Sequence, residues 1–291
     1  LFTQGMVCHE TYLSSNNDWL YPEEIKFLKN GDAKRLSDNS KVKIGRSESM
    51  SKSKKNVIDP GSIIRQYGAD TARWFMLSDS PPERDLEWTD TGVHGAWKFI
   101  NKLWKLVTSN LSCIPQNLSN EPKDLDENSL KLRKKSHKAI KNITECLEDF
   151  RFNVAVAKIH ELVNDLQNYL GHKDISGWVK RESIEIIIRL SNPMLPHITE
   201  ELWQKLGNES LLCKEPWPSP IASLYQEESV NISIQINGKH KVNLNISKSL
   251  DKKNVELIAS QNVNINKALT GKQVAKTIFV PNRIFNFVLS K

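Results

Sequence analysis

Ser49-Met50-Ser51-Lys52-Ser53-Lys54-Lys55-Asn56-Val57-Ile58-Asp59-Pro60 decides the reading of this 291-residue chain. Short hydroxyl side chains and ammonium groups alternate here without the period of a helix or a strand. The backbone is therefore free to wrap an anion while the side chains donate to it. A polyphosphate suits such a loop. Asp59-Pro60 then supplies an N-cap and a residue suited to the first helical turn, and Gly68 stands where that helix should end. The loop is thereby delivered to the positive end of a short helix, where anions are favoured. Taken alone, Ser51 to Lys55 reads equally well as a solvated, lysine-rich surface loop. The flanking sequence has to separate the two readings.

Length suits about two domains, and 38% hydrophobic residues in short runs indicate a soluble globular protein with no span for a membrane. No secretory leader opens the sequence, and its first residue is Leu1 rather than Met, so the chain is expected to begin inside a larger protein. Cys8, Cys113, Cys146 and Cys213 lie far apart with no Cys-x-x-Cys pair. Neither a zinc ribbon nor a disulfide framework follows, and a reducing cytoplasm fits best. The net charge of +7 divides unevenly, as −1 over residues 1–90, +2 over 91–221 and +6 over 222–291. A basic tail is what an RNA- or membrane-facing module needs, because phosphate contacts supply most non-specific affinity.

Three zones follow along the chain. Up to about residue 90, short apolar runs alternate with turn signals at Asn30-Gly31-Asp32 and Asp38-Asn39-Ser40, which reads as the end of an α/β domain followed by two short helices. From Thr91, Val93, Trp97, Ile100, Trp104 and Val107 recur at helical spacing, and both tryptophans are assigned to the core. A linker at 114–128 precedes amphipathic helices near 129–147, 153–170, 174–191 and 197–206, a helical bundle. After Trp217-Pro218-Ser219-Pro220, alternation of Ile232, Ile234 and Ile236, the Asn237-Gly238 turn, and alternation of Val242, Leu244 and Ile246 predict a hairpin. A helix near 252–260 and strands near 274–280 and 283–289 complete a small α+β module. The 114–128 and 221–229 linkers leave the arrangement of the zones open.

These residues carry a resemblance. The Ser49–Ser53 stretch resembles the Lys-Met-Ser-Lys-Ser signature loop of class I aminoacyl-tRNA synthetases, with Ser49 in place of the first lysine. Leu1-Phe2-Thr3-Gln4-Gly5-Met6-Val7, Gly68-Ala69-Asp70-Thr71-Ala72-Arg73 and the run from Ser80 to Trp88 are similar to stretches flanking that loop in bacterial leucyl-tRNA synthetases. The run from Pro193 to Trp203 is similar to a helix start shared with the isoleucyl and valyl enzymes. Ile234 to Lys239, Gly271 to Lys276 and Val280 to Arg283 look like the leucyl family's C-terminal domain.

The resemblance implies a multidomain protein, α/β plus all-α. Residues 1–91 would end a class I nucleotide-binding, Rossmann-like catalytic domain, 92–222 would form a helical anticodon-binding domain, and 228–291 a small α+β domain contacting tRNA. It implies ATP-dependent activation of leucine, with Mg2+, and transfer to the 2′-hydroxyl of tRNA(Leu). Lys52 would be the catalytic residue, Met50, Ser51, Lys52 and Ser53 would bind ATP, and Lys54 and Lys55 are proposed to support the phosphates in place of Ser49. Lys239, Lys272, Lys276 and Arg283 would touch tRNA, with a solvated surface role equally open for each.

No His-Ile-Gly-His signature, leucine pocket or editing domain is recognisable, so the chain alone is expected to bind tRNA without aminoacylating it, as a monomer. A stand-alone tRNA-binding module derived from a synthetase, or an isoleucyl or valyl relative, are the alternatives. His197-x-x-Glu200-Glu201 lacks a second histidine at ligand spacing and reads as a helix start; no metal site is expected.

Overall fold

The computed structural model describes every residue except positions 1, 2, 173, 227, 228 and 291. Leu1 and Phe2 of the Leu1–Val7 stretch, and position 228 at the expected start of the last domain, lie outside the described residues. The chain divides into two compact units, Leu1–Tyr225 and Gln226–Lys291.

The first unit opens with a sheet. Strands β1 (Val7–Leu13), β2 (Ile25–Phe27), β3 (Ala33–Arg35), β4 (Lys41–Ser49) and β5 (Leu86–Glu87) are ordered β2-β3-β4-β1-β5. β1 runs antiparallel to β4 and parallel to β5. The polar stretch after Trp19 therefore joins the sheet as short strands. Its turns fall where Gly31 and Asn39 take positive φ, 86° and 58°, a conformation that glycine and asparagine tolerate. Tyr12, Leu20, Ile25, Ala33 and Val42 form a small core behind these strands.

Helices α1 (Pro60–Tyr67) and α2 (Ala69–Ser78) follow. The Asp59 carboxylate accepts from the backbone N–H of Gly61 at 3.2 Å and of Ser62 at 2.9 Å, and Gly68 at φ 87° separates the two helices, as the sequence predicts.

α3 (Asp90–Thr108) forms as expected but presents a different face. Val93, Ala96, Phe99, Leu103, Leu106 and Val107 are its buried residues, whereas Trp97 is 37% exposed. The packing of Phe99, stacked on Trp74 with ring centroids 4.7 Å apart, fixes this rotation. Trp97 lies against His94, and the half-buried Trp104 lies beneath the Lys205 ammonium. The assignment of Trp97 to the core is thus corrected, whereas Trp104 packs against the bundle core as expected.

α4 (Glu127–Glu148), α5 (Phe152–Leu170), α6 (Gly177–Ser191) and α7 (Pro196–Lys205) build the bundle around Leu132, Ile143, Ile159, Leu166 and Ile184. The preceding linker is tied to it: Arg181 Nη1 donates to the Pro115 carbonyl at 3.3 Å, Trp178 Nε1 to the Leu118 carbonyl at 3.3 Å, and Arg133 Nη1 to Glu121 at 2.6 Å. Many arrangements were open to this linker on sequence; backbone carbonyls satisfied by buried bundle side chains restrict it. At the other end, Trp217 Nε1 donates to Thr144 Oγ1 at 2.9 Å, and the Ile221 N–H to His137 Nδ1 at 3.1 Å, leading into α8 (Ala222–Tyr225).

The second unit contains β6 (Ser229–Ile236), β7 (Lys239–Ser247), α9 (Lys252–Gln261), α10 (Val263–Leu269), β8 (Val274–Val280) and β9 (Ile284–Leu289), with sheet order β7-β6-β9-β8. Ile232, Ile234 and Phe285, all fully buried, lead its core. No described helix is long and apolar enough to cross a membrane.

Candidate nucleotide-binding loop

Asn56 organises the signature loop. The chain leaves β4 at Ser49, paired with Cys8 of β1, and the Met50 N–H donates to the Val7 carbonyl at 3.0 Å. Two turns follow, in which the N–H groups of Lys54 and Lys55 donate to the carbonyls of Ser51 and Lys52, and Lys55 takes a left-handed φ of 53°. The Asn56 side chain, fully buried, closes the loop. Its Oδ1 accepts from the Ser51 N–H at 2.8 Å, and its Nδ2 donates to the carbonyls of His9 and Glu48, both at 3.1 Å. One side chain thus joins the loop to both central strands and satisfies backbone groups that would otherwise be stranded.

This anchoring divides the loop's cations. Lys54 is hydrogen-bonded to Glu48, and that bond, with the Arg46 guanidinium second, holds the Glu48 carboxyl below its usual range. Lys55 lies over the Tyr21 ring, 5.3 Å from its centroid. Lys52 is exposed, and among the described residues its ammonium has no ion-pair or ring partner. It borders a cavity of about 390 Å³ with Tyr21, Glu23, Val57, Ile58, Asp59 and Pro60. The hydroxyls of Ser51 and Ser53 lie 2.6 Å apart. Met50 lines a neighbouring apolar pocket of about 280 Å³ that includes Val7, Ile63, Ala72, Met76 and Trp88 and shares Ile58 and Pro60 with the first cavity. A free ammonium, two hydroxyls and a rigid base are suited to a phosphate chain. Lys54 and Lys55, by contrast, must leave existing partners before they could meet one.

No group of three or more His, Cys, Asp or Glu among the described residues could hold a metal. His197 occupies the start of α7, and its Nδ1 lies 2.8 Å from Asp70 Oδ1. Glu200 accepts from the Leu212 and Cys213 N–H groups.

In the second unit, Lys239, Lys272, Lys276 and Arg283 are all exposed. The parallel pairing of β6 with β9 and the antiparallel pairing of β8 with β9 bring Lys239, Lys272 and Lys276 to one end of the sheet. Arg283 sits in the turn at the other end, about 17 Å away along β9. Lys239 is also set apart, since β7 and β8 are opposite edges of the sheet, about 14 Å apart across three strand spacings.

Sequence reasoning missed Asn56, Glu48 and Tyr21. Nothing local marks Asn56, whose partner His9 is 47 residues away; Glu48 could have been suspected from its position six residues before Lys54.

Residues 34–89 match the family of class I tRNA synthetases for Ile, Leu, Met and Val, and residues 130–257 match the anticodon-binding domain of tRNA ligases. Over 99% of its length the chain is 44% identical to a leucine–tRNA ligase of Parvibaculum lavamentivorans and 43% identical to one of Rhodospirillum rubrum, covering 34% of each. The leucyl-tRNA synthetase of Agrobacterium radiobacter K84, solved as a ternary complex with tRNA and LeuAMS, superposes with a TM-score of 0.72 at 29% identity, over 84% of this chain and 31% of that one. The chain spans about a third of the length of the curated relatives it matches. With the signature loop, the helical bundle and the small α+β unit in that order, the chain matches a portion of bacterial leucine–tRNA ligases.

Proposed function

We propose that this chain supplies the signature-loop half of the nucleotide site, together with tRNA-facing units, of an enzyme that activates leucine with ATP and transfers it to the 2′-hydroxyl of tRNA(Leu). The observation that carries this reading is the unpartnered Lys52 ammonium on a loop fixed by Asn56. Lys52 meets the negative charge that grows on the leaving phosphates as the leucine carboxylate attacks the α-phosphate. Because the loop's backbone is already fixed, the contact strengthens toward the transition state without reorganisation. Ser51 and Ser53 donate hydroxyls to the same anion, and Met50 seats the loop on its apolar pocket. Lys54 joins them only by exchanging the Glu48 carboxylate for phosphate. Mg2+ would arrive with the phosphates, since the described residues offer no carboxylate cluster to hold it.

Lys239, Lys272, Lys276 and Arg283 supply separate phosphate contacts to tRNA from different parts of the second unit's sheet. The proposal is tested by Lys52→Ala in the full-length polypeptide. Loss of one such preorganised contact should lower leucine-dependent ATP–pyrophosphate exchange by about 10²–10³-fold. An unchanged exchange rate excludes Lys52 from the role. Retained tRNA binding by a chain ending at Tyr225 would likewise remove the second unit from tRNA recognition.

A further inference from the structure

Asp70 occupies an unusual electrostatic position. It lies in the first turn of α2 and is only 7% exposed. Its two oxygens also sit at the start of α7, a helix with no side-chain cap of its own. Oδ2 accepts from the Ile198 N–H at 2.7 Å, while Oδ1 accepts from the His197 N–H at 3.4 Å and faces His197 Nδ1 at 2.8 Å. One buried carboxylate therefore serves the positive ends of two helices 127 residues apart in sequence. One turn along α2, Arg73 completes the joint from the opposite polarity. Its Nη2 donates to the Pro193 carbonyl at 2.8 Å and its Nε to the Met194 carbonyl at 3.1 Å. The corner between α6 and α7 is thus gripped at both its N–H groups and its carbonyls by a single helix.

What that helix connects gives the grip its meaning. α2 is joined through Gly68 and α1 to the signature loop, with only the residues 61–67 between the Asp59–Pro60 cap and the glycine. The corner it holds belongs to the bundle. Packing between α2 and α3, including the Trp74–Phe99 stack, would keep the helices together by itself. The clamp adds direction: side-chain hydrogen bonds to fixed backbone groups set the rotation and depth of α2, which apolar contacts alone leave adjustable.

We infer that Asp70 and Arg73 are positioning residues that register the signature loop against the tRNA-facing bundle. Transfer of the aminoacyl group to tRNA, which needs both parts at once, depends on this clamp; nucleotide chemistry at the loop does not. The inference rests on the proposed leucine–tRNA ligase reading for its first assay and is independent of it for the second.

In the full-length polypeptide, Asp70→Asn and Arg73→Met should each lower kcat for tRNA charging by about tenfold. ATP–pyrophosphate exchange and KM for tRNA should each change by less than about twofold. Arg73→Lys, which keeps the charge and can reach one carbonyl, should restore part of the loss. An equal fall in both reactions, or none in either, overturns the inference. Complete absence of leucine-dependent exchange in the unmutated polypeptide refutes the ligase reading instead. The clamp is then decided by amide exchange on the 291-residue chain. Both variants should speed exchange in residues 61–67 while leaving Ser51, α4 and α5 unaltered; unchanged exchange in residues 61–67 overturns it.

Discussion

Replacing Asn56 by alanine tests the physical basis of the loop. The side chain is fully buried and makes three bonds of good length, to the Ser51 N–H and to the His9 and Glu48 carbonyls. The contact to the Ser49 carbonyl, at 3.4 Å, is marginal. At about 1 kcal/mol net per bond, the loss is about 3 kcal/mol, because water has little access to the groups left behind. The assay is urea unfolding followed by tryptophan fluorescence. All 8 tryptophans lie at or before Trp217, so the signal reports the first unit alone. With a slope of about 3 kcal/mol per molar, the midpoint should fall by about 1 M. Amide exchange at Ser51 should accelerate in parallel. A stability change below about 0.5 kcal/mol, the scale of an ordinary surface substitution, together with unaltered Ser51 exchange, would refute the claim that Asn56 holds the loop.

Four further outcomes follow from the same geometry. Glu48→Gln should free Lys54 and shift the loop's amide exchange in low salt, with the difference shrinking at high salt as screening weakens the ion pair. Because Lys54 and Arg46 lower the folded-state pKa of Glu48, the pair's contribution is present above the ordinary carboxyl range and is lost as pH falls through the lowered value. The protection of the loop amides relative to an unstructured chain should therefore be flat near neutral pH and fall only in acid. His160 lies 4.0 Å from the Phe99 ring centroid, where burial first and then Lys102 lower its basicity. Its contribution is full above the ordinary histidine range and is lost as pH drops through the lowered value, so tryptophan-detected stability should decline there, and His160→Phe should remove that inflection. Phe285→Ala, in a unit of small core, should cost about 3–5 kcal/mol. Far-ultraviolet circular dichroism should then lose the second unit's strands while the tryptophan transition stays in place.

Local signals in the sequence reached far. The Asp59 cap, the Gly68 stop, the Asn237-Gly238 turn and the alternating isoleucines of β6 each act within a few residues, and each is where the structure has it. The signature loop was legible for the same reason. What escaped was set by tertiary partners. The face of α3 turns on Phe99 meeting Trp74 rather than on the wider tryptophan spacing, and the small strands β2 and β3 gain their order from β4. α10 was also missed, although its Asn262 cap, accepting from the Asn264 N–H at 3.1 Å, was a readable signal. Asn56's bond to His9 and Asp70's to His197 were beyond local reasoning, since they span 47 and 127 residues. The four basic residues of the tail looked alike as composition, and only the strand register and sheet order set Arg283 and Lys239 apart from Lys272 and Lys276.

Lys52 is proposed to stand in one half of a nucleotide site, on a chain that spans about a third of the length of the curated relatives it matches. Leucine-dependent ATP–pyrophosphate exchange, measured on the 291-residue chain and on the full-length polypeptide side by side, addresses it most directly. The account predicts no exchange by the chain alone, and exchange by the full-length polypeptide that falls by about 10²–10³-fold in Lys52→Ala. Exchange by the isolated chain, or an undiminished rate in the full-length variant, would contradict it.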